Sequence, residues 1–251
     1  MKMYENEVLR QLHARKSVRV YEDKPVSREV KEALLEAALA APTAGCMCLY
    51  TILDITDEAI KQRLSVLCDN QPFIGKAPIV LVFLADWQRW RDSFALVRGG
   101  KTRPAGEGDL LLAAADALIA AQNVVVAAEA LGLGSCYIGD IIEQQAEIAE
   151  LLCIPPQAVP VAMLCIGYPT QKQREREKPP RFRREAIVHT NRYSLADESA
   201  LHTLFAQRHE KGDLDREATA MAARKWEADF MEDMNSSARR WIARFCGRDA
   251  K

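Results

Sequence analysis

Residues 78–85, Pro78-Ile79-Val80-Leu81-Val82-Phe83-Leu84-Ala85, are an almost uninterrupted apolar run. A strand with one wet face alternates apolar and polar residues. This one does not, so it reads as a strand covered on both faces. Val159–Gly167 (VPVAMLCIG) repeats that character, and Tyr50–Ile55 and Ser135–Ile138 read as shorter strands. Between them lie helical patterns at Glu5–Ala14, Ser27–Ala40, Glu58–Leu67, about Asp109–Ala130 and Gln144–Leu152. Ser27 followed by Val30 has the look of an N-cap, and that helix is expected to end near Pro42.

The chain has 251 residues, 49% hydrophobic and 27% charged, which is ordinary globular composition. Its net charge of −1 gives no general attraction to nucleic acid or acidic membranes. Seven scattered cysteines, with no metal-ligand spacing around them, suit free thiols in a reducing cytoplasm. The N-terminal residues lack the apolar core of a signal peptide. Leu110–Leu133 is apolar enough to raise the membrane question. Asp116, Gln122, Asn123 and Glu129 interrupt it, which favours a helix buried in a soluble core.

Beyond Tyr168-Pro169 the composition shifts. Gln171–Arg184 (QKQREREKPPRFRR) reads as an extended surface arm, and the chain from Asn191 onward as helices. Ala220, Trp226, Phe230, Met234, Trp241 and Phe245 recur at approximate helical spacing, a pattern suited to packing on a core or a partner subunit. The expected division is 1–195 for the main domain and 196–251 for a helical extension packing on that domain or on a dimer partner.

Three stretches carry chemistry. In Arg15-Lys16-Ser17-Val18-Arg19-Val20-Tyr21 an extended backbone puts Arg15, Ser17 and Arg19 on one face. Two guanidinium forks flanking a hydroxyl suit a phosphate and nearby carbonyl oxygens. Gly132-Leu133-Gly134-Ser135-Cys136-Tyr137-Ile138-Gly139 is not a dinucleotide loop, because it follows a helix and leads into a strand. A helix cap and tight turn account for Gly132 and Gly134. Gly139, at the strand end, would let a flat ligand lie against bare backbone. The third stretch, Val97–Gly108, is a glycine-rich loop whose Arg98, Lys101 and Arg103 could clamp a phosphate.

The order Arg-Lys-Ser-Val-Arg-x-Tyr, then Ala41-Pro42-Thr43-Ala44-Gly45, then Gly-Leu-Gly-x-Cys-Tyr-Ile-Gly, then Cys165-Ile166-Gly167-Tyr168-Pro169 resembles the FMN-dependent nitroreductase family. The likeness is greatest to its oxygen-insensitive NADPH nitroreductase and flavin reductase branch, and covers about Val8–Tyr193. It implies an α+β fold with a central, mainly antiparallel sheet flanked by helices. It also implies a homodimer with FMN at the subunit interface, and NADPH or NADH as co-substrate. Hydride would pass to flavin N5 and electrons onward to nitroaromatics, quinones or flavins in a ping-pong cycle. No side chain would act as nucleophile, no metal is implied, and Arg19 would support the flavin's charge.

The same resemblance assigns Arg15, Lys16, Ser17 and Arg19 to the first FMN segment, with Arg15 and Ser17 on phosphate and Arg19 near the pyrimidine edge. Pro42, Thr43 and Ala44 would pack on the ring from the other subunit, and Gln71 would contact the flavin. Tyr137, Ile138 and Gly139 would bring a backbone amide to N5, and Lys178 and Arg181 would close over the phosphate. Two departures stand out. Cys46 and Cys48 replace the polar residue and glutamine usual near those positions. Lys178-Pro179-Pro180-Arg181 is one residue longer than the usual Lys-Pro-Arg, which leaves Lys178, Arg181 and Arg183 as alternatives for the phosphate.

Other readings follow from the same residues. One is flavin chemistry on enones or halogenated aromatics, another an FMN-binding redox sensor that does not turn over. The third is a helical interaction protein without cofactor, against which the basic segment and Gly139 argue.

Overall fold

The computed structural model describes residues 6–208 and 213–248. The chain forms two compact units, Met1–Arg176 with Asp233–Lys251, and Glu177–Glu232. The division expected at residues 195 and 196 therefore lies inside the second unit. The first unit is built on a four-stranded sheet of β1 (Tyr50–Asp54), β2 (Ile79–Asp86), β3 (Gly134–Ile138) and β4 (Ala158–Gly167). The strand order is β1-β2-β4-β3, with every neighbouring pair antiparallel. Its helices are α1 (Glu7–Ala14), α2 (Arg28–Leu39), α3 (Glu58–Leu67), α4 (Pro72–Gly75), α5 (Gln88–Val97), α6 (Glu107–Ala130), α7 (Gln145–Leu151) and α8 (Gln171–Glu175), joined by most of α11 (Asp229–Phe245). The second unit holds α9 (Glu198–Arg208) and α10 (Leu214–Met221).

The unbroken apolar run becomes the central strand β2, and its side chains sort by parity between two cores. Ile79, Leu81 and Phe83 pack with Leu34 and Ala38 of α2 and with Ala117, Ala121 and Val124 of α6. Val80, Val82 and Leu84 pack on the other face with Leu64 of α3, Ile148 of α7, and Trp241 and Phe245 of α11. Residues Ile79–Ala85 are each 4% exposed or less. Burial of each large side chain contributes about 1.5–3 kcal/mol, so a polar residue on either face would be costly. Pro160 is tolerated in β4 because it sits at a register shift opposite Phe83 and Leu84, where the ladder is already broken.

Local signals set the element ends, at Ser27 and Gly132 as expected. The Ser27 hydroxyl accepts from the Val30 amide at 3.3 Å and starts α2. Asp57 does the same for Ile60 at 3.0 Å and starts α3. Gly132 takes φ +73° at the end of α6, a conformation that favours glycine. Helix α6 is long and apolar enough to cross a membrane by length and composition. Here one side of it is buried against α2 and the sheet, while Leu111, Leu112, Leu118 and Ile119 form an exposed stripe on the other.

Four features depart from the sequence expectations. The basic segment is not a strand. It makes single bridges, Ser17 to Ser135 and Tyr21 to Pro169, and no ladder. Residues 88–97, for which no helix was expected, form α5. The expected extended arm begins with the short helix α8, docked on the basic segment. The C-terminal aromatic series divides, with Trp241 and Phe245 in the core of the first unit and Trp226 82% exposed.

Candidate functional site

The basic segment is fastened to β3. The Val18 amide donates to the Ser135 carbonyl at 2.9 Å, and a Cβ on Gly134 would stand 2.5 Å from Val18 Cγ2. Only glycine permits this approach, which brings the stretches Arg15–Tyr21 and Gly132–Gly139 together. Burial pushes the Cys136 thiol up from its usual range, while Arg19, Ser17 and Arg15 each pull it back. All three residues of the proposed anion face thus act electrostatically on Cys136 of β3. Among the described residues, Arg15 Nε is buried without a hydrogen-bond partner, as is the Ser135 hydroxyl. A buried unpartnered guanidinium nitrogen beside a strand end fits a group that accepts hydrogen bonds, such as a phosphate or flavin oxygen.

Helix α8 braces the segment from outside. Arg176 donates to the Ser17 carbonyl at 2.7 Å, and Gln173 Oε1 accepts from the Arg19 amide at 3.4 Å. Arg174 pairs with Glu22. The Lys16 ammonium donates to the Arg174 carbonyl at 2.5 Å, so it closes the end of α8. Lys16 thus anchors the scaffold, while Arg19 remains exposed with no carboxylate partner among the described residues.

The strand end at residues 137–139 has the form its sequence implied. Gly139 has an ordinary φ of −83°, and a Cβ there would meet nothing within 4 Å. Packing inside the chain does not require this glycine, so the free space suits a ligand pressed on the backbone. Ile138 is buried, and Tyr137 is half-buried with its hydroxyl 3.4 Å from Gln122 Oε1. Burial pushes the Tyr137 phenol up to about 12, partly offset by Arg15. Gln71 reaches the same corner: its amide donates to Asp140 Oδ2 at 2.6 Å and to the Cys68 carbonyl at 2.9 Å.

Pro42, Thr43 and Ala44 are held by a residue that was not singled out as a site residue. Asp116, 3% exposed on α6, accepts from the Thr43 hydroxyl, from the Ala44 amide at 3.0 Å and from the Leu49 amide at 3.2 Å. Thr43 Oγ1 in turn accepts from the Cys48 amide at 2.8 Å. One carboxylate thus orders a loop in which Gly45, Cys46 and Cys48 all take positive φ. The two non-glycine residues cost about 1–2 kcal/mol each in that conformation, which the charge-assisted hydrogen bonds offset. The available signal was a lone aspartate in an otherwise apolar helix face.

Lys178 and Arg181 are exposed residues of the second unit. Among the described residues no cluster of histidine, cysteine or carboxylate suits a metal ion.

The chain is similar to proteins of known activity. The nitroreductase family profile matches residues 12–168. The chain is 34% identical over 198 residues to an FMN reductase [NAD(P)H] of Bacillus subtilis, covering 78% of each chain. It is 32% identical over 186 residues to an oxygen-insensitive NADPH nitroreductase of Salmonella typhimurium, covering 74% of each. Among solved structures, the NADPH:FMN oxidoreductase of Vibrio harveyi complexed with NAD+ superposes with a TM-score of 0.77 at 26% identity. That match covers 93% of this chain and 98% of the other.

Proposed function

This chain belongs to the nitroreductase family, and we propose that it is an FMN-dependent oxidoreductase taking hydride from NADPH or NADH and passing electrons to nitroaromatics, quinones or flavins. The observation that carries the reading is the fastening of the Arg15–Arg19 segment to β3, the strand that leads to Gly139, where the backbone is bare. When bound, FMN would supply the hydride- and electron-transfer chemistry, which no side chain here provides.

The chain's own residues bind and orient. Arg15, with its buried Nε unpartnered among the described residues, and Ser17 hold the phosphate; the assignment of Lys178 and Arg181 to it rests on family resemblance alone. Lys16 keeps the segment in place through Arg174. Arg19 offers a fixed positive charge that offsets negative charge accumulating on the pyrimidine side of the ring. Gly139, following Tyr137 and Ile138, presents backbone, and Gln71, whose Nε2 hydrogens go to Asp140 and the Cys68 carbonyl, would contact the flavin through its Oε1. Nothing in this arrangement requires a side-chain nucleophile, and protons can come from water.

The working unit is a homodimer. The exposed stripe of Leu111, Leu112, Leu118 and Ile119 on α6, with Val8, Leu9 and Leu12 exposed on α1, supports this assembly. Asp116 lies on the same helix and holds Pro42–Ala44, so pairing along α6 would carry that loop to the partner's flavin. The helices beyond residue 195 serve partly as an extension to the catalytic domain. Seven unpaired cysteines accord with a cytoplasmic protein.

The test is steady-state kinetics of the FMN-loaded protein with NADPH and a quinone varied together. Parallel double-reciprocal lines support alternating half-reactions at one site. Intersecting lines would require both substrates to be bound at once and would reject that cycle.

A further inference from the structure

A groove of about 790 Å³ lies between α7 and the C-terminal half of α11, both in the first unit. That volume is in the range of sites that take a small molecule. Ala146 and Ala149 of α7 and Ala243 of α11 line it, short side chains that leave the space between the helices open. Arg239, Arg240, Arg244 and Arg248 line it as well, against the single carboxylate of Glu150. On a chain whose net charge is −1, four guanidinium groups within ten residues are a local concentration of charge. The helix dipole favours cations in a last turn, which accounts for Arg244 of α11 but not for Arg239 or Arg240. Arg240 and Arg244 stand four residues apart, the spacing at which like charges on a helix repel.

Three of the four are held in place by a bond that leaves other donors free. Arg240 Nη1 donates to the Ser236 hydroxyl at 2.9 Å, and Arg248 Nη1 to Glu107 Oε1 at 2.6 Å. Arg244 Nη2 donates to the Ile154 carbonyl at 2.7 Å, and its guanidinium carbon stands 5.8 Å from the centre of the Trp241 ring. Arg244 Nη1 is buried and has no hydrogen-bond partner among the described residues. A buried guanidinium nitrogen ordinarily meets an acceptor. Of the four arginines, Arg248 alone has a carboxylate partner among the described residues. The acceptor that suits both the orphaned nitrogen and the surplus of positive charge is an anion from outside the chain.

We propose that the groove between α7 and α11 binds a compact oxyanion of two or more negative charges, the chemistry shared by phosphate esters and by di- and tricarboxylates. Guanidinium forks match both geometries with paired N–H donors. Arg244 and Arg240 are the inner donors, already oriented by Ile154 and Ser236, and Arg239 and Arg248 add charge at the rim. The alanines let the anion approach both helices. The same helix holds the chain beyond Gly139, since Ser237 and Trp241 both donate to the Ile142 carbonyl. Occupancy therefore ties α7 to α11 and stabilises the folded chain. The inference does not rest on the hydride-donor reading, because none of these arginines belongs to the proposed flavin site.

The test is calorimetric titration of the protein in saturating FMN, which occupies the site assigned to the flavin phosphate, with pyrophosphate and, separately, with citrate at fixed ionic strength. Wild type is expected to bind at least one of them, and the tighter of the two identifies the ligand as a phosphate ester or a polycarboxylate. Arg239→Gln/Arg240→Gln, at two exposed positions, should bind that anion about tenfold or more weakly while its Tm without anion stays close to wild type. Arg244→Gln should also weaken it, with Tm measured alongside because the bond to Ile154 is lost. Arg28→Gln/Arg63→Gln removes the same charge from exposed positions of α2 and α3 and should bind as wild type does. Binding of neither anion to wild type overturns the proposal, as does unchanged affinity in Arg239→Gln/Arg240→Gln or in Arg244→Gln. Equal weakening in the two double variants overturns it too, since that is attraction to general charge and not to this groove.

Discussion

The Thr43 hydroxyl is hydrogen-bonded to the buried carboxylate of Asp116, joining a surface loop to the middle of α6 across 73 residues of sequence. The same carboxylate takes the Ala44 and Leu49 amides. Asp116→Ala would leave these donors without their acceptor in a site closed to water. The expected cost is about 3 kcal/mol of unfolding free energy, measured by denaturant titration. FMN retention should fall further than the global destabilisation explains, because the loop conformation of Gly45, Cys46 and Cys48 loses its brace. Asp116→Asn, which keeps one acceptor oxygen, should do less on both measures. Wild-type stability in Asp116→Ala would contradict the role.

Gly134 and Gly139 should respond oppositely to alanine. At Gly134 the added Cβ would stand 2.5 Å from Val18, so Gly134→Ala is expected to lower stability by about 1–3 kcal/mol. At Gly139 the space is open and φ is ordinary, so Gly139→Ala should fold normally and bind FMN at least tenfold more weakly. Thermal unfolding without added flavin and fluorescence titration with FMN separate the two effects. Normal FMN affinity in Gly139→Ala would show that the ligand does not lie on that backbone.

Glu143 introduces a pH dependence. It is 8% exposed, with one carboxylate oxygen buried and unpartnered. Burial raises its pKa first, and Asp140, Asp69 and Asp233 raise it further. A carboxyl whose pKa is higher folded than unfolded stabilises the fold while protonated. That contribution is complete at low pH and is lost as pH rises through the folded value. Glu143→Gln should therefore be more stable than wild type at pH 7–8, with the difference vanishing near pH 4. Equal stability of the two proteins across that range would mean Glu143 is not strained as described.

The C-terminal helix should matter to the core. The Ser237 hydroxyl donates to the Ile142 carbonyl at 2.7 Å and accepts from the Gln145 amide at 2.9 Å. Trp241 Nε1 donates to the same carbonyl at 3.1 Å, and its ring is 1% exposed. Trp241→Ala is expected to cost about 3–5 kcal/mol, whereas Trp226→Ala, at an 82% exposed position, should change stability by less than about 0.5 kcal/mol. Denaturant midpoints measured on both variants check the contrast.

Much of this was legible before the structure. Residues 78–85 read as a strand between two layers, and Ser27 as a helix start, made by a hydrogen bond within a few residues. Each rests on local pattern or local bonding. The basic segment resisted such reading because its backbone partner, Ser135, is distant in sequence and meets it at one bridge instead of a ladder. Asp116 was visible only as an interruption in an apolar helix, since its purpose depends on a loop about seventy residues earlier. The shared fate of Trp241 and Phe245, apart from Trp226, likewise depends on which surface each helical face meets. The antiparallel order of the sheet came from family resemblance alone; strand patterns by themselves leave it open.

The most direct test of the central claim is the visible absorbance of the purified protein, followed anaerobically as NADPH is added and then a quinone or nitroaromatic. The account predicts a flavin spectrum that bleaches with NADPH and returns with the acceptor. A flavin spectrum that NADPH leaves unchanged would contradict the enzyme reading in favour of a sensor. Failure to take up FMN on reconstitution would contradict the site itself.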